Sequence, residues 1–113
     1  MKILSEKLTM NELQKIASQR FGDMVKAVID IDQDLVAIDA ELHSDLETIL
    51  IENGSKQKNL WGINLYPGTD DENFVEFDSM INVRPSQGNR SRGIDNEEIR
   101  NKIITIVKRK IAL

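Results

Sequence analysis

Two kinds of hydrophobic spacing alternate along this chain, and their order limits the folds that it can adopt. Three segments repeat apolar residues at helical spacing, and four short segments place one at every second position. Together they predict the order α-β-β-α-β-β-α. Because one helix joins two hairpins, we expect an α+β fold with a mainly antiparallel four-stranded sheet, packed by helices on one face. No repeat or long linker divides the chain, so residues 1–113 are predicted to form a single domain.

Each predicted helix carries its own start or stop signal. In "LTMNELQKIASQRFG", Thr9 and Glu12 have the spacing of a capping box, in which each side chain bonds an N–H at the helix start. The second helix lies in "ELHSDLETILIENG" and is ended by the Asn-Gly pair. Asp95 is the predicted N-cap of the last helix, with Glu98 three residues later.

The strands are predicted to form two hairpins. "MVKAVIDI" and "LVAIDA" alternate apolar and polar residues on either side of a turn at residues 32–34. "NLWGINLY" and "NFVEFDSMINVR" form the second pair, with an expected bulge near Asp78-Ser79 where the alternation breaks.

The charges divide the chain into an acidic part and a basic part. Residues 1–78 carry 7 basic and 16 acidic side chains, whereas residues 79–113 carry 8 basic and 3 acidic ones. Between Asp23 and Glu52, Lys26 is the single lysine among nine carboxylates. Binding to duplex DNA draws its affinity from neutralising phosphates, so the acidic majority argues against it. In the last third, Arg100, Lys102 and the run Lys108-Arg109-Lys110 could form a basic surface, which would suit an acidic partner or single-stranded RNA.

Several classes of protein are disfavoured by what the chain lacks. Without cysteine there is no disulfide framework, no thiolate metal site and no cysteine nucleophile. The segment "MKILSEKLTM" lacks the apolar stretch of a secretory signal. No segment approaches the roughly 18 apolar residues of a membrane span. We therefore expect a cytoplasmic protein with no membrane contact and no cofactor.

A partial calcium-loop pattern lies in "DIDQDLVAIDAE". Asp30, Asp32 and Asp34 occupy the first three ligand places of such a loop, and Glu41 falls at the twelfth. The sixth place needs glycine for a sharp turn, and this chain has Leu35 there. The flanking segments also read as strands, so we predict a half-exposed hairpin and no metal site.

His43 is the single histidine, so a histidine pair for a metal or a proton relay is not available. It precedes Glu47 by four residues, which places both on one helix face. The favoured interpretation is an exposed histidine paired with a neighbouring carboxylate, and the alternative is a general base. The chain contains no GxSxG, GxxxxGK[ST] or HExxH motif, so no catalytic residue is assigned.

The segment "INVRPSQGNRSRGI" is the strongest candidate site. It joins a predicted strand to the last helix and is longer than the usual connection of about 4–6 residues. Arginine forks suit carboxylate or phosphate, and amides and hydroxyls add neutral hydrogen-bonding groups. The predicted ligand-binding residues are Arg84, Ser86, Gln87, Asn89, Arg90 and Arg92, with His43 as a possible accessory residue.

A structural interpretation of the same segment is favoured over the binding one. Its arginines can pair with the carboxylates of the acidic part, and its amides can bond the loop's own backbone. In addition, Asp95, Glu97 and Glu98 stand at the start of the last helix and would repel an anion held there. Any anion must therefore be held by the arginines, away from that helix axis.

The segments "DLVAIDAELHSDLE", "NLWGINLYPG" and "FDSMINVRPSQGNRSRGI" resemble those of a group of small uncharacterised bacterial proteins, frequent in cyanobacteria, classed as a domain of unknown function. The resemblance runs from about Val25 to the last helix, and "INVRPSQGNRS" is its most specific part. It implies a small single domain and brings no catalytic residues with it.

Three hypotheses of function follow. The first is a non-enzymatic binding or regulatory module that recognises a protein or a small anionic ligand through residues 84–92. The second is a phosphodiester- or nucleotide-processing enzyme in which His43 is the base and the loop arginines stabilise developing charge. The third is an interaction protein that self-associates through its opposite charges, which salt would weaken.

Overall fold

Strand β3 (Val25–Asp30) is the centre of the fold, and the computed structural model describes the chain around it from residue 1 to residue 112. It pairs antiparallel with β4 (Leu35–Ile38) on one side and with β5 (Leu60–Leu65) on the other. Two short edge strands, β1 (Lys2–Ile3) and β6 (Val75–Glu76), complete the order β1-β4-β3-β5-β6. The sheet is antiparallel, as predicted, but it has five strands and not four.

The remaining elements surround this sheet. The helices are α1 (Met10–Arg20), α2 (His43–Glu52), α3 (Asp71–Phe74) and α4 (Glu97–Lys110). A separate parallel pair joins β2 (Leu8–Thr9) to β7 (Ile111–Ala112). Short 3-10 turns span Gln57–Asn59, Met80–Asn82 and Pro85–Gln87. Within residues 1–112, every helix is too short or too polar to cross a membrane.

Helices cover both faces of the sheet, so the prediction of a single packed face was wrong. On one face Ala27 and Ile29 pack in a cluster with Leu13 of α1 and Ile103 of α4. On the other face the apolar side chains of β3, β4 and β5 pack against α2, and this smaller cluster consists of Val28, Ala37, Ala40, Leu46, Leu50 and Leu60. The reason is that these strands carry apolar residues at successive positions, which hides both faces from water.

The structure confirms one predicted helix cap and moves another by one residue. Thr9 Oγ1 accepts a hydrogen bond from the Glu12 backbone N–H at 3.1 Å, and Glu12 Oε1 accepts one from the Thr9 N–H at 3.2 Å. The predicted capping box of α1 is therefore confirmed. The cap of α4 is Asn96 and not Asp95, because the Asn96 side chain accepts the Ile99 N–H. Asp95 instead accepts a hydrogen bond from Ser91.

The first hairpin has the predicted turn, and the buried Asp30 carboxylate organises it. Asp30 accepts the backbone N–H groups of Asp32 at 2.9 Å and Gln33 at 3.0 Å. Ser55 donates its hydroxyl to the same carboxylate at 2.6 Å. The first position of the apparent calcium pattern is thus used to hold the turn. Among residues 1–112, no three His, Asp or Glu side chains are grouped so that they could hold a metal ion.

The second hairpin is much shorter than predicted, because only Val75 and Glu76 pair with β5. The chain then leaves the sheet and forms the 3-10 turn Met80–Asn82, in place of a strand with a bulge. This turn lies over Gly62, where a Cβ atom would be only 2.6 Å from the Cβ of Ser79. The Asn82 side chain accepts the Gly62 N–H at 2.8 Å and donates to the Gly62 carbonyl at 2.9 Å. One amide group therefore replaces the missing strand partner at this position.

Candidate functional site

Arg84 closes the free edge of β5 beyond Gly62. Its guanidinium donates to the Gln57 carbonyl at 2.6 Å and to the Leu60 carbonyl, and it stacks on the Trp61 ring at 4.2 Å from the ring centroid. Gln87 donates to the Lys58 carbonyl at 3.1 Å. Two of the predicted ligand-binding residues are thus bonded to the backbone that leads into β5. The burial that this requires lowers the pKa of the Arg84 guanidinium from its usual value.

Asn89 lies at the centre of the loop and is buried. Its side-chain NH2 group lies within hydrogen-bond distance of three carbonyls, those of Asn82 at 2.7 Å, Gly93 at 2.8 Å and Ser91 at 3.1 Å. Its side-chain oxygen accepts the Asp95 N–H at 2.8 Å. These bonds join the 3-10 turn, the loop and the approach to α4, which matches the structural interpretation for this residue.

The other predicted site residues face solvent. Ser86 and Arg90 are exposed, and their side chains have no hydrogen bond or ion pair with any residue in 1–112. Arg92 is also exposed, but its Nε donates to Asp78 Oδ1 at 2.7 Å. Because this contact uses only Nε, the two terminal amino groups of Arg92 are left free of partners in the described part of the chain.

Arg92 and His43, which are far apart in sequence, line one pocket of about 160 Å³. We call it the His43 pocket. It lies where the start of α2 meets β3 and the 3-10 turn Met80–Asn82. Its lining residues are Lys26, Leu42, His43, Ser44, Ser79, Met80, Ile81 and Arg92. The loop therefore divides into a structural part, which contains Arg84, Gln87 and Asn89, and Arg92, which reaches this pocket.

His43 is only 8% exposed, so the prediction of an exposed histidine paired with a carboxylate was wrong. It is the first residue of α2, and its ring Nε2 lies 2.8 Å from the Ile63 carbonyl of β5. A carbonyl oxygen only accepts hydrogen bonds, so Nε2 carries the proton and Nδ1 carries the lone pair. Burial lowers the pKa of His43, the Ile63 bond opposes that shift, and nearby Lys26 adds to it. The ring is thus a neutral base with a defined tautomer.

The lowered pKa of His43 predicts a pH-dependent stability. Because the folded pKa lies below the unfolded value of about 6.5, the unfolded chain binds more protons between the two values. The free energy of unfolding should therefore fall as pH drops below about 6.5, by at most about 1.4 kcal/mol per pH unit, and level off below the folded pKa. Urea denaturation between about pH 7.5 and pH 5 measures this slope, above the range of ordinary carboxylates.

His43→Gln is the control for this prediction, since glutamine keeps a donor for the Ile63 carbonyl but does not titrate. The variant should lose the slope. The chain has one histidine, so an unchanged slope in His43→Gln would contradict the assignment.

The charges around the His43 pocket favour an anion. Lys26 is half-buried and has no ion pair with residues 1–112, whereas Arg92 shares its charge with Asp78. The pocket also meets the start of α2, where Leu42 provides no side-chain cap for the free N–H groups. The unpaired N–H groups at a helix start attract negative charge. Two hydroxyls, those of Ser44 and Ser79, complete the polar lining.

Lys26, Ser44 and Ser79 were not among the predicted site residues. The signal for Lys26 was present, since it is the single lysine in the acidic stretch from Asp23 to Glu52 and occupies a polar position of an alternating strand. The two serines carried no such signal. They reach the pocket only because α2 and the 3-10 turn lie over the same end of the sheet.

The fold and the site together define a small α+β domain with a polar pocket at the start of a helix. The chain belongs to the family described as "Protein of unknown function (DUF5674)", whose model matches residues 2–110. The match confirms the resemblance to a domain of unknown function, and the family description carries no activity. No curated protein and no solved structure matches the chain significantly.

Proposed function

We propose that this protein is a non-enzymatic binding module for a small oxyanion, a carboxylate or a phosphate, held in the His43 pocket. One observation carries the proposal: the fold brings Lys26, His43 and Arg92 from three separate segments to one pocket of about 160 Å³. Side chains gathered from distant parts of a chain around a concave site are typical of ligand recognition.

The two cations have different tasks in this proposal. Lys26 supplies a compact positive charge that no carboxylate in residues 1–112 neutralises at ion-pair distance. Arg92 is oriented by its Nε bond to Asp78, which leaves its terminal amino groups for ligand oxygens. Hydrogen bonds between charged partners are about twice as strong as neutral ones. The proposal therefore keeps Arg92 as a ligand contact and treats Arg84, Gln87 and Asn89 as the frame that positions it.

His43 adds selectivity. With Nε2–H bonded to Ile63, its Nδ1 carries the lone pair and can accept a hydrogen bond. A ligand that presents a hydroxyl or an N–H beside its anionic group can donate to Nδ1. A ligand with oxygens alone favours proton uptake by the ring, since a nearby negative charge raises a histidine pKa.

We expect acetate and phosphate to bind in the His43 pocket at constant ionic strength. Titrations followed by backbone amide chemical shifts should move the resonances of residues 42–44 and 79–81. Lys26→Gln and Arg92→Gln should each weaken binding about tenfold or more, the effect of one charge-assisted hydrogen bond. Arg90→Gln is the matched control, because it removes a charge two residues from Arg92 without touching the pocket. The proposal would be contradicted if Arg90→Gln abolished the chemical-shift changes. It would also be contradicted if Lys26→Gln and Arg92→Gln left them intact.

A second candidate function has a specific observation in its favour. The enzyme hypothesis requires His43 and a loop arginine to meet, and His43 and Arg92 line the same pocket. His43 would then take a proton through Nδ1 while Arg92 stabilises the developing negative charge. Hydrolysis of an activated phosphodiester that His43→Gln abolishes would favour this function over simple binding. If His43→Gln hydrolyses the phosphodiester as fast as the unchanged protein does, the enzyme hypothesis is excluded.

Self-association through opposite charges and a cytoplasmic location stay predictions. Part of the charge contrast is already satisfied within one chain, since Arg20, Arg92 and Arg109 pair with Asp39, Asp78 and Asp34. Sedimentation at low and high salt tests the first prediction, and a monomer at low salt would exclude charge-driven association. Ser86 and Arg90 lie outside the His43 pocket, so a ligand role for them stays a separate prediction, which loss of binding in Arg90→Gln would favour over the pocket.

A further inference from the structure

We propose that the preferred ligand of the His43 pocket is a small monocarboxylate with an aliphatic chain. This inference rests on the proposed function and names the class of anion. It starts from the rim of the pocket, where Leu42 and Met80 are 55% and 65% exposed. Five large apolar side chains are exposed in residues 1–112, and two of them, Leu42 and Met80, line this pocket.

The rim and the interior differ in chemistry. Lys26, His43 and Arg92 bring polar groups to the pocket, whereas Leu42 and Met80, which line the same pocket, leave apolar surface in water. An unbranched thioether such as methionine adapts to ligands of varied shape. A ligand with one charged end and an apolar body satisfies both parts at once, whereas a fully hydrophilic ion leaves the apolar rim uncovered.

The charge of the pocket favours a single negative charge over two. Lys26 and Arg92 bring two positive charges, and Asp78 cancels one of them through its 2.7 Å contact with Arg92. His43 is neutral, so Lys26, Arg92 and Asp78 together leave one net positive charge at the pocket. A carboxylate, which carries one negative charge, balances that charge. A phosphate dianion would leave excess negative charge beside Asp78.

The size of the pocket sets how much of the ligand it encloses. A volume of about 160 Å³ is smaller than the roughly 300–1,000 Å³ of sites that take drug-sized ligands. It holds a carboxylate and the first few carbons. Further methylenes then lie against Leu42 and Met80 at the rim. Burying one methylene fully strengthens binding about fourfold, and partial burial on an open rim should give about twofold.

A chain-length series tests this inference. Acetate, butanoate and hexanoate are titrated at constant ionic strength, beside phosphate, with amide chemical shifts as the readout. We expect the affinity to rise about twofold for each added methylene and hexanoate to bind at least tenfold more tightly than phosphate. Leu42→Ala and Met80→Ala should flatten the chain-length dependence, so that hexanoate loses more affinity than acetate in each variant. Ile51→Ala is the matched control, an exposed apolar residue of α2 outside the pocket.

The outcomes separate this inference from the proposed function. If acetate and phosphate bind but longer chains give no gain, the aliphatic preference is wrong and oxyanion binding stands. If no anion of the series moves the pocket resonances, both are wrong. A short peptide ending in leucine is added as a rival ligand. Binding of that peptide more than tenfold tighter than hexanoate would overturn the small-molecule assignment in favour of a peptide carboxyl terminus.

Discussion

Replacing Gly62 by alanine should lower the free energy of unfolding by about 3 kcal/mol, the largest effect that we expect from any single methyl group in this chain. A Cβ atom at this position would lie 2.6 Å from Ser79 Cβ and 2.7 Å from Ser79 Oγ, and 3.1 Å from Ile81. The 3-10 turn must then move away from β5. That movement also weakens the two hydrogen bonds between Asn82 and Gly62, each worth about 1 kcal/mol.

Urea denaturation of Gly62→Ala measures this loss, and two further variants isolate its cause. Gly93→Ala is the matched control, because its nearest contacts would be at an ordinary 3.5 Å. It should change the stability by less than about 0.5 kcal/mol. Adding Ser79→Gly to Gly62→Ala removes the closest atoms and should recover part of the loss. A Gly62→Ala protein as stable as the unchanged chain would contradict the close approach of the turn.

The features that were predicted correctly depend on neighbours in sequence. The α1 capping box joins residues three apart, and the first hairpin turns where the Asp30 carboxylate accepts the backbone N–H groups of Asp32 and Gln33. Such contacts form whenever the local pattern is present. The start of α4 was predicted one residue too early. Asp95 and Asn96 are both good caps, and local sequence does not choose between them. Hydrogen bonds from Ser91 to the Asp95 carboxylate and from the Asp95 N–H to Asn89 leave Asn96 as the cap.

The features that were missed depend on contacts between distant residues. The segment from Phe77 to Val83 has the alternation of a strand, yet only Val75 and Glu76 pair with β5. Asn82 takes the place of a strand at Gly62, twenty residues earlier in the chain. A single buried amide that fits both backbone groups outcompetes local propensity there. Sequence alternation alone does not contain that information.

The sequence identified only part of the candidate site, for the same reason. Arg92 and His43 were both singled out from the sequence, but their meeting depends on how α2 lies across the sheet. Lys26, at a polar position of β3, completes the pocket because the packing of α2 on the sheet brings His43 close to it. Conversely, Arg84 and Gln87 have the right chemistry for an anion and are occupied by the backbone carbonyls before β5. Donor-rich composition identifies the segment, and only the fold decides which donors are free.

Replacing Asn89 by alanine should lower the free energy of unfolding by about 3 kcal/mol, although the same residue is a predicted ligand contact. Its side chain bonds the carbonyls of Asn82, Ser91 and Gly93 and the Asp95 N–H, and it is buried. Alanine leaves these backbone groups without partners inside the loop. An unsatisfied buried polar group costs about 1–3 kcal/mol, and entry of water into the loop reduces the total.

Arg90→Ala is the matched control for Asn89→Ala, since it changes the adjacent exposed residue, whose side chain has no partner in residues 1–112. We expect a stability change below about 0.5 kcal/mol for Arg90→Ala. Thermal and urea denaturation of both variants, followed by titration of the folded fraction with acetate, separates structure from recognition. An Asn89→Ala protein that keeps its stability but loses acetate binding would make Asn89 a ligand contact. A destabilised protein that still binds acetate when folded would instead assign Asn89 to the frame that holds Arg92 at the pocket.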